Sequence, residues 1–194
     1  LALTSALWLG GCQGGADDGE RTRVPGDAAT VYASVPRAGV SAASARAALA
    51  GMRHALEQQG ARAGGLRIRL RVLASTDGAE HAWDPGAVSA NAERAADDPG
   101  AIAYVGELDY GATAVSLPIT NEAGLLQVSP ADGLTSLTRR PPGRPRAGPE
   151  RYYPSERRSF ARVGPTDLDE AERLVERAAR AGAERVAIVF DRDI

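Results

Sequence analysis

Apolar positions along this chain fall into short blocks separated by polar, glycine-rich and proline-rich breaks. Residues 30–35 (TVYASV), 101–105 (AIAYV) and 125–128 (LLQV) are short runs with no strict alternation, as expected of strands covered on both faces. In residues 66–72, Leu66, Ile68, Leu70 and Val72 alternate with Arg67, Arg69 and Arg71, which predicts a half-exposed or edge strand with a solvated arginine face. Between these runs the spacing becomes helical. Ser41 or Ser44 can cap a helix reaching about Gln59, with Ala48, Met52, Ala55 and Leu56 on one face and Gly60, Gly64 and Gly65 at its end. Asp84, Pro85 and Gly86 open a second helix, with Asn91 and Arg94 on its polar side and Asp98-Pro99-Gly100 as its stop. A third draws on Ala112, Val115, Leu117, Ile119 and Ala123, with Asp109 available as N-cap and Gly124 as terminator; Pro118 kinks it or marks its start. Regular structure resumes at residues 160–163 (FARV), Gly164-Pro165 interrupts it, and Asp167 heads a helix to about Ala181 before a strand over 185–190.

This alternation predicts an α/β fold: a doubly wound parallel sheet with helices on both faces. Ligands bind such sheets in the crevice outside the carboxyl ends of the strands. Residues 107–111 and 129–135 follow two adjacent strands and are therefore the first place to look for function.

The order VGELDYG, an apolar helix ending NEAG, then LLQVSPADGLTSLT resembles the first lobe of the type 1 periplasmic binding proteins, the leucine/branched-chain amino-acid-binding family. Upstream, SARAALAGMRHALEQQGARAGGLRIRLRVLASTD resembles the long first helix, GG turn and second strand of that family, and downstream SFARVGPTDLDEAERLVERAARAGAERVAIVFDRDI resembles its crossover to a second lobe. The resemblance implies a first ligand-binding lobe over 30–163, then a hinge and the start of a second lobe over 164–194. A lobe that ends on its first strand cannot bury its own sheet, so the sequence reads as the amino-terminal part of a two-lobe protein. The implied function is capture of a small molecule, amino-acid-like or related, for delivery to the membrane permease of an ABC importer. A sensor of the same fold coupled to a membrane receptor, and an extracytoplasmic α/β enzyme, are the alternatives.

In this comparison Tyr110 stands where amino-acid binders have a small hydroxyl residue, while Ala131 and Gly133 stand where they use a backbone group and a second hydroxyl. Ala131 fits, because a backbone contact does not depend on the side chain. Tyr110 and Gly133 depart, which weakens the implication of an amino-acid ligand more than that of binding. Leu108, Asp109 and Ser129 share these loops. Asp109 can receive a cationic or hydroxylated ligand or cap the helix; Arg37, after the first strand, can pair with a ligand carboxylate or stand in solvent.

The N-terminus adds a location. Residues 1–9 are apolar apart from Thr4 and Ser5, the size of a signal h-region, and Leu9-Gly10-Gly11-Cys12 fits a bacterial lipobox with Cys12 as the lipidated residue. Residues 13–29 then read as a flexible tether, so the expected product is exported and lipid-anchored at the outer face of the cytoplasmic membrane. Residues 139–159 are rich in Arg and Pro and predict an excursion, ordered or mobile, that Tyr152 and Tyr153 pack down near the cleft. A basic docking site for an acidic partner or lipid headgroups is its other reading.

A formal net charge of −2 recruits neither nucleic acid nor an anionic membrane, although every one of the 23 basic residues is Arg. His54 and His81 lack partners at metal spacing, no phosphate-binding or dinucleotide glycine loop follows the first strand, and Ser129 lacks the flanking glycines of a nucleophile elbow. The sequence therefore points to a binding protein without cofactor or metal rather than to an enzyme.

Overall fold

The computed structural model describes residues 24–76 and 83–189. The expected lipobox with Cys12, most of the tether, and His81 lie outside the described residues. The elements run β1 (Ala28–Val35), α1 (Ala42–Gln58), β2 (Arg62–Ala63), β3 (Leu66–Ala74), α2 (Pro85–Ala96), β4 (Ala101–Val105), α3 (Thr113–Glu122), β5 (Leu126–Ser129), β6 (Phe160–Arg162) and α4 (Asp167–Arg180). Short 3-10 turns at Thr135–Leu137 and Pro149–Tyr152 lie between β5 and β6.

The sheet order is β2-β3-β1-β4-β5-β6, with every pairing parallel except the antiparallel β2–β3 edge. From β1 the chain moves first to β3 on one side and then to β4 on the other, so the order of winding reverses at β1. Loops after β1 and β4 must part there, and the gap they leave is where such sheets bind ligands. β1 begins at Ala28, inside the segment the sequence assigns to the tether, because Asp27 pairs with Arg67 at 2.8 Å and accepts the Arg67 amide at its carbonyl.

Side chains alternate across a strand, so Tyr32 and Val35 face opposite sides of the sheet. Tyr32 and Tyr104 pack with Ala92 and Ala95 of α2, with Leu125, and with Ile119 of α3. Val35 packs with Ala45, Ala48 and Leu49 of α1 and with Leu108. Helices thus cover both faces, as the alternation predicts. Each fully buried leucine, such as Leu117 or Leu125, contributes about 1.5–3 kcal/mol. α1 meets the sheet through Ala45, Ala48 and Leu49, and Ala55, expected on that face, is exposed.

Two helices differ from expectation on their inner faces. Asn91 is buried rather than on the polar side of α2: its amide donates to Ser34 Oγ at 3.1 Å and to the Ala74 carbonyl at 2.7 Å, closing strand ends that water does not reach. In α3 the buried residues are Thr113, Ser116, Leu117, Thr120 and Asn121, not a purely apolar stripe. Thr120 donates to Gln127 Oε1 at 2.5 Å, and Gln127 Nε2 donates to Ser116 Oγ at 2.8 Å and the Gly106 carbonyl at 3.0 Å. Pro118 lies inside α3, and Gly124, with φ of 71°, follows its last residues as expected of a helix terminator.

Residues 139–159 form an ordered excursion. Tyr152 and Tyr153 are buried against Leu117 of α3 and Leu137, and Tyr153 donates to the Leu137 carbonyl at 2.7 Å. Asn121 holds its far end, donating to the Arg157 carbonyl at 2.8 Å and Ser159 Oγ at 2.7 Å.

Thr166 caps α4 in a reciprocal capping box with Asp169, and the Arg139 guanidinium reaches both, at 2.9 and 2.5 Å. Its apolar residues Leu174 and Val175 are each 67% exposed. Residues 185–189, expected to begin a strand, form none: Val186, Ile188 and Val189 are exposed, and no strand among the described residues pairs with them. Apolar composition makes a strand only where a neighbour accepts its backbone hydrogen bonds.

Candidate functional site

The loops after β1, β4 and β5 converge with the start of α4 at the carboxyl edge of the sheet. Gly106 starts the β4 loop, where a Cβ would stand 2.9 Å from the Ser34 carbonyl; only glycine lets this loop approach β1 so closely. The next residue, Glu107, is 1% exposed. It receives hydrogen bonds from Tyr104 at Oε1 and Ser34 at Oε2, both at 2.7 Å, while its carbonyl accepts from Ser129 Oγ at 2.6 Å. Burial pushes its carboxyl up to about 7, against the lowering effect of the Tyr104 and Ser34 hydroxyls.

Asp109 does not cap α3. The N-cap is Ala112, and the capping carboxylate comes from the following loop: buried Asp132 accepts the Gly111 and Leu134 amides at Oδ1, at 3.2 and 3.1 Å, and the Thr113 amide at Oδ2, at 3.0 Å. A negative charge at a helix N-terminus is stabilising there, and here it also welds the β4 loop to the β5 loop. Asp109 is left for another role. Its Oδ1 accepts from Ser41 Oγ at 2.5 Å, tying the β4 loop to the start of α1, and its Oδ2 is buried with no hydrogen-bond partner. Burial raises the Asp109 carboxyl above its ordinary range; the Ser41 hydrogen bond opposes this and the Asp132 charge adds to it.

Tyr110 is 41% exposed, and its phenol donates to Asp167 Oδ2 at 2.8 Å. Asp167 Oδ1 accepts from the amide and hydroxyl of Thr135 and from the Leu168 amide. Burial pushes the Asp167 carboxyl up, but the hydrogen bonds from Thr135 and Tyr110 outweigh it and hold the group below the usual carboxylate range. The Tyr110 phenol is pushed up to about 12, first by burial and then by Asp167. Gly133 accepts the Asp167 amide at its carbonyl at 2.8 Å, and a Cβ on it would sit 3.4 Å from that nitrogen. The start of α4 is therefore bound directly to the loops after β4 and β5.

Of the residues singled out in the sequence, Asp109, Tyr110, Ala131 and Gly133 lie in this convergence. Ala131 is exposed and its amide makes a 3.3 Å bond to Ser129 Oγ. Ser129 and Leu108 lie below the surface: the Ser129 hydroxyl is taken by the Glu107 carbonyl and the Asp132 amide, and Leu108 belongs to the α1-side core. Arg37 is exposed on the β1 loop, its amide donating to Thr76 Oγ1 at 3.3 Å. Sequence reasoning missed Ser41 as a partner of Asp109, and Asp132, Thr135 and Asp167 as the groups that knit the loops. Two local signals were there to find: Asp132-Gly133 as an Asx-type turn, and the Thr166–Asp169 spacing of a capping box. Among the described residues no group of three or more His, Cys, Asp or Glu could hold a metal ion. Two surface hollows lie elsewhere, both bordered by Arg71 and Asp98.

No protein-family model matches the chain, and no curated protein sequence matches it. Solved structures do. A leucine-binding protein of Thermotoga maritima aligns with a TM-score of 0.58 at 21% identity over 79% of this chain and 38% of its own. An ABC transporter substrate-binding protein of Desulfitobacterium hafniense, in complex with Leu, aligns at 0.62 and 21% identity over 85% of this chain and 42% of its own. An ABC transporter solute-binding protein of R. palustris, in complex with benzoate, aligns at 0.64 and 17% identity over 80% of this chain and 38% of its own. The chain thus has the fold of the first lobe of type 1 periplasmic binding proteins. It spans about four-tenths of the length of the structures it matches.

Proposed function

We propose that the complete protein is an extracytoplasmic solute-binding lipoprotein, anchored through Cys12, that captures a small molecule between two lobes for the permease of an ABC importer. The observation that carries this reading is the convergence of the β1, β4 and β5 loops at the reversal point of the sheet, in a fold whose solved counterparts include proteins holding Leu and benzoate. Tyr110, the Ala131 backbone, Gly133 and Asp109 form the first-lobe half of the cleft in this reading, with Arg37 at its rim. The Ala131 amide, at 3.3 Å from its present acceptor, is held loosely enough to turn to a ligand. Asp167, bound to both Tyr110 and Gly133, follows directly on the expected hinge at Gly164-Pro165, so closure about that hinge changes the surroundings of the site itself. A ligand then stabilises the closed state by its greater affinity for that state.

A thermal-shift screen of the complete protein against amino acids, amines, amides, sugars and aromatic acids tests the reading, because a ligand that binds only the native state raises its apparent stability. The expected outcome is a concentration-dependent rise with one chemical class. A complete protein unmoved by every class would remove the solute-binding role.

A further inference from the structure

The polar groups of the convergent loops are almost all spent on the loops themselves. Both oxygens of Glu107, Asp132 and Asp167 accept hydrogen bonds, and the Ser129 hydroxyl is taken. The exception is Asp109 Oδ2, which is buried and has no partner. The residue is only 8% exposed, and none of the ion pairs among the described residues includes it. The neighbouring acidic groups that bear on it are Asp132 and Glu107, both carboxyls. A buried carboxylate without a cation is costly unless something donates to it. Ser41 fixes its other oxygen at 2.5 Å, so the orphan atom has a set position beside the bond that ties the β4 loop to the start of α1.

Among the described residues, donors for a ligand carboxylate here are limited to the exposed Arg37 guanidinium at the rim and the Ala131 amide. The Tyr110 phenol is engaged with Asp167, and Gly133 offers no side chain. Building on the solute-binding reading, we infer that the ligand carries a cationic amino group, and that Asp109, oriented by Ser41, is the residue that selects it. Ser41 is half-buried beside it, and a cation held against a buried carboxylate is shielded from screening by water.

The test is calorimetric titration of the complete protein with L-arginine, agmatine and putrescine, beside leucine and benzoate. Asp109→Asn and Asp109→Ser are titrated in parallel, so that one variant remains should the other fold poorly, and each is checked for a cooperative unfolding transition. At least one cationic probe is expected to bind, with affinity at least ten-fold weaker in a folded Asp109 variant. Binding of benzoate alone overturns this inference and leaves the solute-binding reading standing; leucine, which carries an ammonium group, counts with the cationic probes. Amine binding unchanged in a folded variant also overturns it, and assigns the orphan oxygen to an internal water. No binding by any probe, with a flat thermal-shift screen, counts against both.

Discussion

Glu107 shows what the site demands of a single residue. It sits at the carboxyl end of β4, and its burial without a cationic partner holds its carboxyl near 7, above the ordinary 4.5. The folded state therefore binds this proton more tightly than the unfolded chain does. The resulting stability is full below about pH 4.5 and is lost as pH rises toward 7, on the order of 3 kcal/mol in all. Glu107→Gln keeps an oxygen for one hydroxyl and cannot ionise. Urea denaturation at pH 5 and pH 8 should show the parent losing markedly more stability than the variant across that interval; equal losses would mean that Glu107 carries no buried charge. Comparing the two proteins cancels groups such as Asp169, held at about 2 by Thr166 and Arg139, which titrate in both. The sequence shows Glu107 only as a polar residue ending an apolar run. Asp109 and Asp132 teach the same lesson. Asp109 is the acid nearest the start of α3 and so reads as its cap, yet the cap is Asp132, from the loop after the neighbouring strand. Sequence proximity ranks candidates along one chain, whereas the strand pairing decides which carboxylate stands over the free amides.

Among the elements, the excursion at 139–159 separates composition from structure most clearly. Its Arg and Pro content reads as a loop, and its order comes from elsewhere: Tyr152 and Tyr153 buried against α3, with the Arg151 and Arg158 guanidinia lying 4.5 and 4.3 Å from their ring centroids. Tyr153→Ala should destabilise the protein by about 3 kcal/mol, in the range of other buried aromatic truncations. It should also speed tryptic cleavage at Arg157 and Arg158 while the circular dichroism of the sheet and helices persists. An unchanged digestion rate would show that the segment is held by Asn121 alone. The inner face of α3 escaped sequence reading for a related reason. Hydroxyl and amide residues count as polar in a periodicity, but Thr120, Gln127 and Ser116 satisfy one another and become core.

At the scale of the molecule, helices lie on both faces of a sheet wound outward from β1, while α4 and residues 185–189 expose apolar residues that this lobe does not cover. In the proposed reading those residues face the second lobe, and Cys12 holds the whole at the membrane. Expression of the complete protein as Cys12→Ala should move it from the membrane fraction to the soluble one, because anchoring rests on acyl chains contributing about 0.8 kcal/mol per buried methylene. A variant that still fractionates with membranes removes the lipid anchor. The sequence by itself determined the α/β alternation, the order of the main strands and helices through α4, most of their ends, and the two loops that follow β4 and β5. These depend on local periodicity, turn chemistry and capping, which neighbouring residues carry between them. Only the tertiary structure decided which carboxylate caps α3, that Ser129 and Leu108 lie below the site, that Tyr110 is engaged with Asp167, and that Asp109 keeps one oxygen without a partner. Each of those is a contact between loops far apart in the chain, set by the sheet that brings their strands together.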